Sequence, residues 1–275
     1  MRAKWLKILL VSTLLAWDAG ATAEGTALDA MESISGTTHY ELVAENIDRP
    51  FQVLVLEPTE GEADTYPTIY LLDGGITFPL LAGYTQYLGY QGEVPPVIIV
   101  GISYGAVSFE DGNRRSTDYT APSDERDYWG GAEAFQVFLQ EQLIPFVEDN
   151  HPADPSKRVL FGQSLGGQFV LFSAQTSPDL FWGRIASNPA LHRNLDWFLR
   201  EPANGSGNSR LFVASAEQDY PVYREPAMAW IRQFDEAAGL PWILRTESID
   251  GYGHFSLVTE SYRRGLKWIL TPEAD

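Results

Sequence analysis

A chain of 275 residues that is 44% hydrophobic can bury one sizeable core, and with no cysteine it must hold that core without disulfides. Its 37 acidic against 19 basic residues give a formal charge of −18. Such a surface repels phosphate backbones and anionic lipid, which argues against nucleic acid as a partner and against stable membrane association.

The chain opens with Arg2, Lys4 and Lys7, runs through an apolar stretch from Ile8 to Trp17, and reaches Ala19-Gly20-Ala21-Thr22-Ala23. That order predicts a secretory signal peptide over residues 1–23, cleaved after Ala23, and hence an exported protein, periplasmic or secreted. The apolar run is shorter than the ~20 residues a spanning helix needs. Without this segment, which holds three basic residues and one acidic one, 16 basic residues face 36 acidic ones, a formal −20. Residues 24–36 read as a polar lead-in and 37–275 as a single domain without repeats or linkers.

His39 to Ala44 and Phe51 to Leu56 are predicted as an antiparallel hairpin across the turn formers Asn46, Asp48 and Pro50. Thr68 to Leu72 is a third strand, ending in the loop Asp73-Gly74-Gly75, and Pro79 to Tyr87 a short helix. Val97 to Ile102, continuous in Val and Ile, reads as a strand buried on both faces. From Ser103 to Gly131 the chain is polar and aperiodic, the signature of a long loop that is either functional or partly disordered. Ala132 to Glu148 reads as a helix kinked by Pro145. Arg158 to Gly162 is a strand, Leu165 to Gln175 a helix, Gly183 to Ser187 a strand, and 201–209 an exposed loop. Leu211 to Ala216 (strand), Ala227 to Ala238 (helix), Trp242 to Ile249 (strand) and Phe255 to Ile269 (helix) complete the chain. The alternation predicts an α/β fold: a mostly parallel central sheet with helices on both faces and an N-terminal antiparallel hairpin.

The pentapeptide Gly162-Gln163-Ser164-Leu165-Gly166 lies between a strand and a helix, where G-x-S-x-G forms the sharp turn that exposes a serine hydroxyl in the α/β-hydrolase fold. The glycines flanking Ser164 are expected to avoid clashes with the neighbouring strand and helix. A serine hydroxyl needs a base and a group to orient that base. Of His39, His151, His192 and His254, only His254 lies in the loop after the final strand, where this fold carries its histidine. His192, after Ser187-Asn188-Pro189, either lines the site or sits on a solvent-facing loop. The acid is expected after the intervening strand, where Asp219 is favoured and Glu217 is the alternative. One oxyanion donor is expected at the Leu165 N–H and the other at Gly75, with Ile76 as its alternative. Asp149, His151 and Asp154 cluster in a turn, and no metal or cofactor is called for.

Taken together, Tyr70-Leu71-Leu72-Asp73-Gly74, Arg115-Ser116-Thr117-Asp118-Tyr119-Thr120, Gly130-Gly131-Ala132-Glu133-Ala134-Phe135, Gly162-Gln163-Ser164-Leu165-Gly166-Gly167 and His254 resemble an esterase family of α/β hydrolases. That family includes enterobactin and salmochelin esterases, esterase D, feruloyl esterases and the antigen 85 mycolyltransferases. The resemblance runs from about His39 to Leu270 and is nearest to the periplasmic siderophore esterase branch. It implies Ser164 as nucleophile, His254 as base, and N–H donors at Gly75 and Leu165, acting on a small-molecule ester. The family's acid position varies, and some siderophore esterases use a serine and histidine pair. Gln163 stands where many relatives have histidine. Arg114 and Arg115 either hold a substrate carboxylate or pair with Asp118 or another loop carboxylate. The expected chemistry is ester hydrolysis through an acyl-enzyme. Transfer to a sugar or other alcohol and peptide hydrolysis are the alternatives within acyl chemistry, and a non-catalytic binding module lies outside it.

Overall fold

The computed structural model describes residues 34–271. The expected signal peptide and most of the polar lead-in lie outside the described residues. No helix among the described residues is long and apolar enough to cross a membrane.

Among the described residues, eight strands form one sheet in the order β1-β2-β4-β3-β5-β6-β7-β8. They are β1 (Thr38–Ala44), β2 (Arg49–Leu56), β3 (Tyr66–Leu71), β4 (Ile98–Ser103), β5 (Ala153–Gln163), β6 (Gly183–Ser187), β7 (Ser209–Ala216) and β8 (Trp242–Ile249). The first two pair antiparallel, β2 pairs antiparallel with β4, and every pairing from β4 through β3 to β8 is parallel. The predicted hairpin and mostly parallel sheet are both present.

The helices are α1 (Gly74–Tyr90), α2 (Arg115–Asp118), α3 (Ala132–Phe138), α4 (Ile144–Asn150), α5 (Leu165–Thr176), α6 (Leu195–Phe198), α7 (Pro221–Asp235) and α8 (Val258–Leu270). Successive strand side chains point to opposite faces, so each central strand feeds two cores. Ile69, Leu71, Val159, Phe161, Ile185, Phe212 and Ala214 pack with Phe78 and Leu81 of α1 and Tyr262 and Leu266 of α8. Tyr70, Leu160, Ala186, Leu211 and Val213 pack on the other face with Phe135, Phe138, Phe169 and Trp230. This double burial explains the unbroken apolar runs.

Several expected boundaries move, each for a physical reason. Asp73-Gly74-Gly75 does not form a loop before a helix at Pro79: α1 begins at Gly74, directly after Asp73 in the left-handed region (φ 55°, ψ 40°). A Cβ at Gly74 would come within 2.5 Å of the Ile102 nitrogen, so glycine lets the first turn lie against β4. Pro79 sits inside α1, costing one backbone hydrogen bond near its start. Likewise α7 begins at Pro221 rather than Ala227, because proline suits a first helical turn. The helix predicted over 132–148 is interrupted by a π turn at Leu139–Leu143, where the Ile144 N–H reaches back to the Leu139 carbonyl. Pro145 therefore opens α4 instead of kinking a continuous helix. Pro50 belongs to β2, not to the turn. The long stretch from Ser103 to Gly131 stays largely irregular, holding only the four-residue α2.

Candidate active site

β5 delivers Ser164 at the carboxyl edge of the sheet, between β3 and β6. The serine occupies φ 60°, ψ −114°, a conformation that costs a non-glycine residue ~1–3 kcal/mol and persists only where surrounding contacts impose it. Those contacts are specific. The Ser164 N–H donates to the Ser187 carbonyl at 3.0 Å, and the Ser164 carbonyl accepts from the N–H groups of Gln168 (2.9 Å) and Ala190 (3.0 Å). A Cβ at Gly162 would lie 2.3 Å from the Gly166 backbone. One at Gly167 would meet the Ser187 carbonyl at 2.9 Å, whereas one at Gly166 meets only ordinary contacts at 3.5 Å and beyond. The crowding expected at both glycines flanking the serine thus falls on Gly162 and Gly167.

Ser164 Oγ lies 2.9 Å from His254 Nε2, and His254 Nδ1 lies 2.9 and 3.0 Å from the two oxygens of Asp219. The imidazole and carboxylate side chains are 3% and 1% exposed, so this pair is shielded from water. Asp219 Oδ1 also accepts the Tyr220 N–H at 2.6 Å, which fixes the carboxylate. Glu217 is exposed and accepts a hydrogen bond from Ser248 Oγ at 3.3 Å. Of the two candidate acids, Asp219 is the one beside the histidine.

The Tyr223 ring stacks on His254 (centroids 4.5 Å apart, 29° between planes), and the largely exposed Phe255 meets it edge-on at 5.0 Å. Tyr223 also meets the His192 ring edge-on, with centroids 5.0 Å apart. His192 therefore lines this region, accepting a hydrogen bond at Nε2 from Arg193 Nε at 2.8 Å. Burial, and then the adjacent Arg193, push its pKa below the ordinary histidine value. Arg193 lies over the Trp129 ring and pairs with Glu125 at 3.1 Å.

The expected donors lie at two helix N-termini, where the first N–H groups have no partner within the helix. Leu165 opens α5 directly after Ser164, and Gly75 lies in the first turn of α1. The Ile76 N–H donates to the Asp73 carbonyl at 2.9 Å, which engages it elsewhere. Arg115 grips Asp73 with two parallel hydrogen bonds of 2.7 and 2.8 Å, while the Asp73 N–H donates to the Tyr119 hydroxyl at 3.1 Å. Its partner is thus a loop carboxylate other than Asp118, which pairs with Arg49 and accepts from Tyr104. Arg114 stacks on Phe109. His151 pairs with Glu57, and Asp154 accepts from Ser156. His39 contacts Gln52 on the hairpin.

Three residues at the site escape the sequence reading. Tyr223 falls in a stretch that reads as the approach to a helix. Asn188-Pro189 signals a turn but not a role, and Gln163, standing where many relatives have histidine, is expected to leave the chemistry unaffected. Asn188 is 1% exposed at φ 41°, its Oδ1 accepting the Ala216 N–H at 2.7 Å and its Nδ2 donating to the His254 carbonyl at 2.9 Å.

A serine on a strained strand-to-helix turn, joined through histidine to a buried carboxylate in chain order serine, acid, histidine, places this molecule in the α/β-hydrolase fold. Comparison with known proteins agrees. Residues 44–262 match the model of the Esterase family, described as "Putative esterase", and the chain belongs to that family. It is 34% identical over 185 residues to the ferri-bacillibactin esterase BesA of Bacillus subtilis (strain 168), covering 62% of this chain and 63% of BesA. It is 28% identical over 192 residues to the apo-salmochelin esterase of Escherichia coli O6:H1, covering 66% and 56% respectively. The matches thus span less than two thirds of either relative. The crystal structure of the BES protein from Bacillus cereus superposes with a TM-score of 0.73 at 23% identity, over 85% of this chain and 96% of that one, a likeness of fold.

Proposed function

We propose that the chain is a serine esterase that hydrolyses carboxylic esters through an acyl-enzyme. The observation that carries this reading is the unbroken hydrogen-bonded line from Ser164 Oγ through His254 to Asp219. His254 Nε2 takes the hydroxyl proton as Oγ attacks the ester carbonyl carbon, and Asp219 steadies the imidazolium that forms. The N–H groups of Leu165 and Gly75 receive the oxyanion. Each such donor stabilises the transition state by ~3 kcal/mol. The tetrahedral intermediate collapses, the alcohol leaves with the proton from Nε2, and water repeats the sequence on the acyl-serine to release the acid.

The named activities of the two curated relatives support siderophore esters as the substrate class. The charged, apolar and small-residue order of residues 1–23 supports export, and with it a periplasmic or secreted location.

The test is Ser164→Ala assayed on p-nitrophenyl esters and on ferric and iron-free catecholate siderophores. Turnover should fall to background and labelling by a fluorophosphonate should vanish, with the circular dichroism spectrum unchanged. Undiminished turnover in the folded variant would overturn the proposal.

A further inference from the structure

The base is held in a segment with no regular structure of its own: β8 ends at Ile249 and α8 starts at Val258, leaving His254 in the loop between them, flanked by Gly251 and Gly253. An imidazole on such a loop stays 2.9 Å from Ser164 Oγ only if something fixes its backbone. The fixture is visible at the His254 carbonyl, which accepts two side-chain amides at once. Gln163 Nε2 approaches it at 2.5 Å and Asn188 Nδ2 at 2.9 Å, using both lone pairs of that oxygen. We propose that Gln163 and Asn188 are positioning residues that jointly clamp the His254 carbonyl and so hold the imidazole between Ser164 and Asp219. The inference rests on the esterase reading above.

Each residue shows signs of being placed for this purpose. Gln163 immediately precedes the serine, so the strand end that sets Ser164 also reaches across to the base. Its Oε1 is buried with no hydrogen-bond partner among the described residues, a desolvation cost that an apolar side chain would avoid. The bond from its Nε2 accounts for an amide there. Asn188 follows β6 directly and sits in the left-handed region, which asparagine tolerates better than most residues. Its N–H donates to the Ala214 carbonyl at 2.8 Å and its Oδ1 accepts the Ala216 N–H, which binds the end of β7 three residues before Asp219. The clamp thereby joins the chain segments that carry nucleophile, acid and base.

Three variants test it. Gln163→Leu and Gln163→Met remove one donor, the second at nearly unchanged side-chain length. Asn188→Asp keeps the acceptor for Ala216 and the tolerance of positive φ while replacing the other donor with an oxygen. Because a displacement near 1 Å at a reacting group costs ~100-fold, kcat on p-nitrophenyl acetate should fall 10- to 100-fold in variants at both positions. KM should stay within about twofold, and the second-order rate of fluorophosphonate labelling should drop in the same ratio as kcat. All rates are taken per folded molecule, well below each variant's Tm. Combining Gln163→Met with Asn188→Asp should cost less than the product of the single effects, since both donors serve one oxygen. A kcat within twofold of wild type at either position, or a loss accounted for by the unfolded fraction, overturns the clamp. A wild-type protein that neither turns over esters nor reacts with the fluorophosphonate removes the esterase reading instead, which is a distinguishable failure.

Discussion

A carboxylate with both oxygens within 3.0 Å of one imidazole nitrogen is well placed to choose which nitrogen of His254 carries the proton and to steady the charged ring. Glu217, two residues away and exposed, has no such access. Asp219→Asn should therefore lower kcat by about 10³- to 10⁴-fold with little change in the melting curve, whereas Glu217→Gln should leave steady-state rates within about twofold. Comparable losses in the two variants would count against the role assigned to Asp219. At this scale the sequence was most legible where chemistry restricts the choice. Ser164, His254 and Asp219, which the structure brings within hydrogen-bonding distance, stand out in the sequence because the fold orders such residues along the chain and few compete for each place. Gln163, Asn188 and Tyr223 do not, because an amide or a ring acquires a role only from what it touches, and their contacts cross from one strand end to another.

The elements were legible wherever an apolar run is bounded by clear breaks, as in β6 and β8, whose limits fall where the pattern puts them. Helix starts are less legible: α1 begins at Gly74, ahead of Pro79, Pro145 opens α4 instead of kinking a longer helix, and α7 begins at Pro221, ahead of the Ala227 that the apolar pattern suggests. The turn between β5 and α5 shows why spacing alone says too little. Of its glycines, Gly162 faces the Gly166 backbone at a distance no Cβ can occupy, while Gly166 has room. Gly162→Ala should accordingly destabilise the protein by about 3 kcal/mol, the upper end for overpacking, and should impair labelling of Ser164. Gly166→Ala should cost less than ~1 kcal/mol. Chemical denaturation of the two variants measures the difference, and equal values would contradict the packing described.

At the scale of the whole molecule, the acidic surface and the buried sheet explain separate things: charge bears on solubility and on which partners are repelled, while double burial of β3 to β7 holds the fold without disulfides. The strand order adds a further consequence. Ser164 hangs from β5, paired on both sides, but His254 follows β8, which among the described residues pairs only with β7 and forms one border of the sheet. Border strands open at lower free energy than central ones, since fewer ladder bonds and contacts hold them. On heating, ester turnover should be lost several degrees before the far-ultraviolet signal melts, and cooling from that interval should restore it fully. On the proposed mechanism the serine hangs from the middle of the sheet and the base from its rim, and warmth should silence the chemistry before it unmakes the protein.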